Sequence, residues 1–205
     1  MSKKAKLICS AAAVLVLAAF LIGVDNFTSS SSMLRTVLQL GAIYALVAVS
    51  MNLLNGFTGL FSLGQAGFMA IGAYTFGVLT IPVAKKANVY YLYGVTDALS
   101  NVELPTWLGI IAAGLMAAVI AAVIGAPVLR LKSDYFAIAT LGFSEIVRIL
   151  LASSLFNRVT NGSLGLKSIP GFSSYYTPFI VVAICILVIA LLIKSSYGRA
   201  FKAIR

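Results

Sequence analysis

Two charged residues, Glu145 and Arg148, stand inside a run that is otherwise apolar from Tyr135 to Leu155. Their i, i+3 spacing puts both on one helix face, close enough to pair. Charges near the middle of a membrane-crossing helix are costly and ordinarily turn toward the interior of a bundle. There the pair either orients the helix or meets a charged solute or a gate. A second polar group, Thr58, Ser62 and Gln65, is interleaved with Gly56, Gly59 and Gly64. A third is the basic stretch KSSYGRAFKAIR, with Gly198, Arg199, Lys202 and Arg205.

These residue types suit noncovalent handling of a polar solute better than bond making or breaking. The chain has no His and only 5 acidic residues, which removes most hydrolytic and metal chemistries. Cys9 and Cys185 fall inside apolar runs without metal-ligand spacing and read as small apolar fillers. No Gly-x-x-x-x-Gly-Lys-Ser/Thr phosphate loop occurs, so ATP is not expected to bind in that manner. No catalytic residue, metal or cofactor is expected.

The glycines of the stretch NLLNGFTGLFSLGQAGFMAIGAYTFG, Asn52 to Gly77, allow two readings. Glycine weakens a helix by about 1 kcal/mol relative to Ala, so a cluster of them implies a specific use of the backbone. One use is close helix packing through small residues in lipid. The other is a broken or re-entrant segment from about Asn55 to Ala66, with Thr58, Ser62 and Gln65 beside freed amides. Non-helical backbone at membrane depth is tolerated only when buried in protein or lining a wet cavity, so that second use would mark a solute path.

The elements that must position these residues are transmembrane helices. The composition is 61% apolar and 10% charged over 205 residues, with a mean hydropathy of +1.05. A hydrocarbon core about 30 Å thick needs about 20 apolar helical residues. Runs of that kind are Leu7 to Val24, Thr36 to Leu54, Trp107 to Leu129, Tyr135 to Leu155 and Thr177 to Ile193, with a Gly-interrupted sixth at Phe68 to Ala84. The expected fold is all-α: a polytopic bundle of about six spans forming one membrane domain over residues 1–205. The longer linkers, Lys85 to Thr106 and Phe156 to Tyr176, are expected to lie outside the cell and to offer partner surfaces.

The formal charge of +10 is spread over the ends of the runs and forms no patch for nucleic acid. It reports topology instead. With the N-terminus cytoplasmic, Lys3, Lys4, Lys6, Arg130, Lys132, Lys194, Arg199, Lys202 and Arg205 lie inside. Arg35, Lys85, Lys86, Arg158 and Lys167 then lie outside, a smaller set, as the positive-inside rule favours. The first run is read as a span, since no convincing small-x-small cleavage site precedes Asp25. By that rule alone the basic stretch at 194–205 is a cytoplasmic flank.

Four stretches, in order, resemble the permease subunits of ABC importers for branched-chain amino acids, in particular the LivM-type member of the permease pair. They are NLLNGFTGLFSLGQAGFMAIGAYT from Asn52, DYFAIATLGFSEIVRILL from Asp134, VTNGSLGLKSIPG from Val159 and YGRAFKAIR from Tyr197. The resemblance implies a multi-pass protein of the cytoplasmic membrane. Its implied partners are separate ABC ATPase subunits, a second permease subunit and an extracytoplasmic substrate-binding protein. It makes residues 194–205 the start of a cytoplasmic loop that docks into the ATPase, with Gly198, Arg199, Lys202 and Arg205 in it. It places the Gly-rich stretch along the translocation path, although the family commonly has His where Gln65 stands. Members of the family continue past the position of Arg205, so the resemblance implies a fragment, a truncated product or an incomplete sequence. On that reading the isolated 205-residue chain is not expected to transport.

An ATP-independent carrier or channel for a small polar solute such as urea or an amide, driven through Glu145, remains a competing expectation. So does a membrane subunit with no path.

Overall fold

The computed structural model describes residues 3–27, 32–131, 133–172 and 174–204. Among these residues it contains helices and turns and no strand. The described residues divide into two compact units, one drawn from Met1–Leu46 with Ser173–Val188, the other from Val47–Phe172 with Ile189–Arg205.

In the first unit, α1 (Lys3–Phe27), the start of α2 (Met33–Asn52) and most of α9 (Thr177–Lys194) are tied at one end by a polar knot. Arg35 pairs with Asp25 at 2.9 Å and also donates to the Asp25 carbonyl at 2.7 Å. The Tyr176 hydroxyl donates to the other Asp25 carboxylate oxygen at 2.7 Å, and the Arg35 guanidinium lies 5.2 Å from the Tyr175 ring centre. Both partners of the ion pair are largely shielded, so the knot holds chain entry and exit points in register more firmly than a surface pair would. The Asp25 carboxylate, as acceptor of its hydroxyl, pushes the Tyr176 phenol above its ordinary value.

In the second unit α3 (Gln65–Thr80) packs on α6 (Thr106–Val128) and on α7 (Ser133–Ala152). Small residues set both approaches. A Cβ on Gly109 of α6 would overlap the Thr80 side chain and lie 3.1 Å from Phe76, and one on Gly67 of α3 would lie 2.9 Å from the Ser144 Cα of α7. Close packing through glycine is therefore present at these two positions. At Gly72 it is not: nothing lies within 4 Å of a Cβ there.

Among the described residues four helical segments are long and apolar enough to cross a membrane: Met33–Thr58, Thr106–Val128, Tyr135–Ala152 and Thr177–Lys194. Pairing α3 with α4 (Val83–Val89) gives a fifth, bent by 120°. The expected run Phe68 to Ala84 is thus not one straight span. Pro82 disfavours the helical conformation at Ile81, which is extended at φ −60° and ψ 126°, and the chain turns there. The protein is a multi-pass membrane protein.

Beyond that turn the two long linkers fold together instead of hanging free. Ile81, Val89 and Tyr90 form a small buried cluster against Val95 and Leu166. Lys86, only 3% exposed, donates from its ammonium to the carbonyls of Leu99 and Val102 near α5 (Asp97–Ser100). The Tyr90 hydroxyl donates to the Val159 carbonyl of α8 (Asn157–Thr160) at 2.7 Å, and burial pushes this phenol up to about 12.

Candidate functional site

The Gly-rich stretch is a true interruption. After α2 the chain winds into a π-helical turn, Leu53–Thr58, in which a Cβ on Gly56 would overlap the Asn52 side chain. Gly59 then takes a left-handed conformation at φ 73°, which glycine adopts without strain, and regular helix resumes only at Gln65. The break runs through Gly59–Gly64, inside the limits Asn55 to Ala66 read from the sequence.

A break frees amides, and inside a bilayer each must find a partner. Here side chains supply them. The Thr58 hydroxyl donates to the Leu54 carbonyl at 2.6 Å and accepts from the Leu60 amide at 3.4 Å. The Asn55 side-chain oxygen accepts from the Ser62 amide at 3.1 Å, and the Ser62 hydroxyl accepts from the Gly64 amide at 3.4 Å. Thr140 of α7 accepts from the Leu63 amide at 3.0 Å. Thr58 and Ser62 therefore serve the local backbone. Ser62 and Gly64 are buried, Thr58 and Gln65 half-buried, and Gly59 exposed.

Glu145 and Arg148 do pair, through two hydrogen bonds, one of them from Nε to Oε2 at 3.0 Å. Their side chains are 52% and 74% exposed, so the described residues leave them largely uncovered. α7 buries Phe136, Thr140 and Val147 instead and turns the pair to its open side. The pair is thus on the helix that pins the break but is not directed at the break.

α10 (Ser196–Ile204) holds Gly198, Arg199 and Lys202, and Arg205 lies outside the described residues. This helix follows α9 after a single residue and lies against the π-helical turn Leu53–Thr58. Gly198 is buried there: a Cβ would overlap the Ile193 carbonyl oxygen and sit 2.7 Å from the Ile193 Cα. Arg199 is exposed, its guanidinium donating to the Ser196 hydroxyl at 3.0 Å. Two elements that carry parts of the sequence's candidate set, the turn Leu53–Thr58 and α10, are therefore neighbours. Asn55 and Thr140 were not singled out from the sequence. Asn55 carried a weak signal, standing before Gly56 in an Asn-Gly pair, and Thr140 carried none.

Residues 33–205 match the family described as branched-chain amino acid transport system / permease component, and the chain belongs to that family. It is 34% identical over 203 residues to the high-affinity branched-chain amino acid transport system permease protein LivM of Escherichia coli (strain K12), covering 82% of this chain and 43% of the relative. It is 34% identical over 197 residues to the protein of the same name from Salmonella typhimurium (strain LT2), covering 80% and 41%. The chain thus spans less than half the length of these curated relatives. No solved structure matches it significantly.

Proposed function

We propose that this chain is a membrane-spanning permease subunit of an ATP-driven importer that carries branched-chain amino acids across the cytoplasmic membrane. ATP hydrolysis belongs to separate ATPase subunits, and a second permease subunit and an extracytoplasmic binding protein complete the assembly. The observation that carries the reading is the break at Gly59–Gly64, whose amides are held by side chains while the adjoining π-helical turn rests against α10. Irregular backbone at membrane depth is characteristic of solute sites in transporters.

In this reading Gly56, Thr58, Gly59, Ser62, Gly64 and Gln65 border the path. Glu145 and Arg148, an exposed ion pair on a membrane-crossing helix, face water or a partner in the assembly, since hydrocarbon would penalise them. Residues 194–205, including Gly198, Arg199, Lys202 and Arg205, begin the cytoplasmic element that receives the ATPase stroke. The N-terminus is cytoplasmic.

Single cysteines at Thr58, Gln65 and, as a control on the apolar exposed face of α6, Val119 test the path. Charged, membrane-impermeant thiol reagents are expected to label the first two in membranes, with leucine and ATP changing the rates, and to spare the third. Equal protection at all three sites would contradict a path through the break. Labelling that responds to an ion gradient and ignores ATP would favour the ATP-independent carrier.

A further inference from the structure

Thr140 is 8% exposed, and its hydroxyl is used twice. It donates to the Ala137 carbonyl of its own helix at 3.0 Å, which fixes the proton, and its oxygen accepts from the Leu63 amide at 3.0 Å. The two partners are 77 residues apart in sequence. A Cβ on Gly64 would sit 3.4 Å from the Thr140 Cβ, so the break passes this side chain in van der Waals contact. The ties made by Asn55, Thr58 and Ser62 are local, each joining the segment to its own neighbours in sequence. Thr140 ties it to another helix. Just beyond it, Gly67 seats the first turn of α3 on Ser144 of the same α7 face. At the far end, the turn Leu53–Thr58 lies against α10.

The segment is therefore anchored on α7 at one end and in reach of α10 at the other. We infer that Thr140 is a positioning residue that fixes the register of Gly59–Gly64 against α7. A displacement of α10, passed to the turn Leu53–Thr58, then bends the segment about Leu63 instead of carrying it along as a body. Gly59, left-handed and exposed, lies between the moved end and the fixed one and supplies the joint. This inference rests on the proposed reading of the break as the border of the path.

The test compares Thr140→Val and Thr140→Ala, which remove the acceptor, with Thr140→Ser, which keeps it. Two readouts are taken on the protein in its native assembly: amide hydrogen exchange of residues 59–64, and initial leucine uptake with its apparent KM. Loss of one such hydrogen bond is expected to speed exchange in the segment at least about fivefold. Exchange in α6 should stay unchanged, the maximal uptake rate should fall by a similar factor at constant KM, and Thr140→Ser should restore both. Unchanged exchange in 59–64 for both Val and Ala would overturn the positioning role. Faster exchange with unaltered uptake would leave the anchor standing and overturn the path reading beneath it.

Discussion

Replacing Gly198 by alanine tests the junction between α9 and α10 with a sign that ordinary helix chemistry would reverse. Gly198 sits inside α10 with no left-handed backbone requirement, so helix propensity alone predicts that Ala stabilises it by about 1 kcal/mol. The structure predicts the opposite. The added Cβ meets the Ile193 backbone, which cannot rotate away as a side chain would. Relief requires opening the junction, which is closed by the Ser195 amide on the Leu192 carbonyl at 3.1 Å and the Arg199 amide on the Ser195 carbonyl at 3.3 Å. Losing both costs about 1–3 kcal/mol, so after the propensity gain about 0–2 kcal/mol of net destabilisation remains, or up to roughly thirtyfold in the docked population of α10. Trypsin cleavage after the exposed Arg199 reports that population while opening is fast relative to cutting. Gly198→Ala is expected to be cut faster than the unsubstituted chain, by up to roughly thirtyfold, and Gly198→Val faster again. Slower cutting of Gly198→Ala would refute the tight junction and leave propensity in charge.

Gly67→Ala and Gly109→Val should each destabilise the second unit by about 1–3 kcal/mol through overpacking, whereas Gly72→Ala, with open space around it, should be neutral or stabilising; thermal unfolding in detergent distinguishes them. Neutralising Glu145 or Arg148 singly leaves a lone charge on a membrane-crossing helix, so Glu145→Gln and Arg148→Gln should each lower the steady-state level in the membrane and the double variant should recover it. The Tyr90 phenol, ordinarily ionising near 10 and here pushed up to about 12, favours the folded state in its neutral form. Its contribution is complete below pH 10 and is lost as pH rises through about 12, so Tyr90→Phe should remove the corresponding late step of a tyrosinate absorbance titration.

Much of the fold is written locally and could be read. Apolar runs of membrane length give the helices, and the i, i+3 pairing of Glu145 with Arg148 depends on helix geometry alone. The break was one of the two readings that the glycine density around Asn55 to Ala66 allowed, beside close helix packing. The bend at Pro82 was present in the Ile81-Pro82 dipeptide, but the apolar run around it masked the signal. What the sequence concealed depends on register between distant segments: the Thr140 anchor on Leu63, the Tyr90 tie to Val159 and the knot of Asp25, Arg35 and Tyr176. Thr and Tyr occur in apolar helices and loops for many reasons, and nothing in their immediate neighbours names a partner so far along the chain. The outward turn of Glu145 and Arg148 was hidden for a related reason. Spacing says that two charges share a face but not which neighbours that face meets.

The central claim is tested most directly by purifying the assembly that contains this chain from its native membrane and reconstituting it in liposomes. The ratio of leucine taken up to ATP hydrolysed is then measured, with the extracytoplasmic binding protein present and absent. The account predicts uptake that requires ATP, stimulation of hydrolysis by the loaded binding protein, and loss of coupling, with hydrolysis retained, in Gly198→Val. Leucine uptake that proceeds at full rate without ATP, or an assembly holding no ATPase subunit, would contradict it.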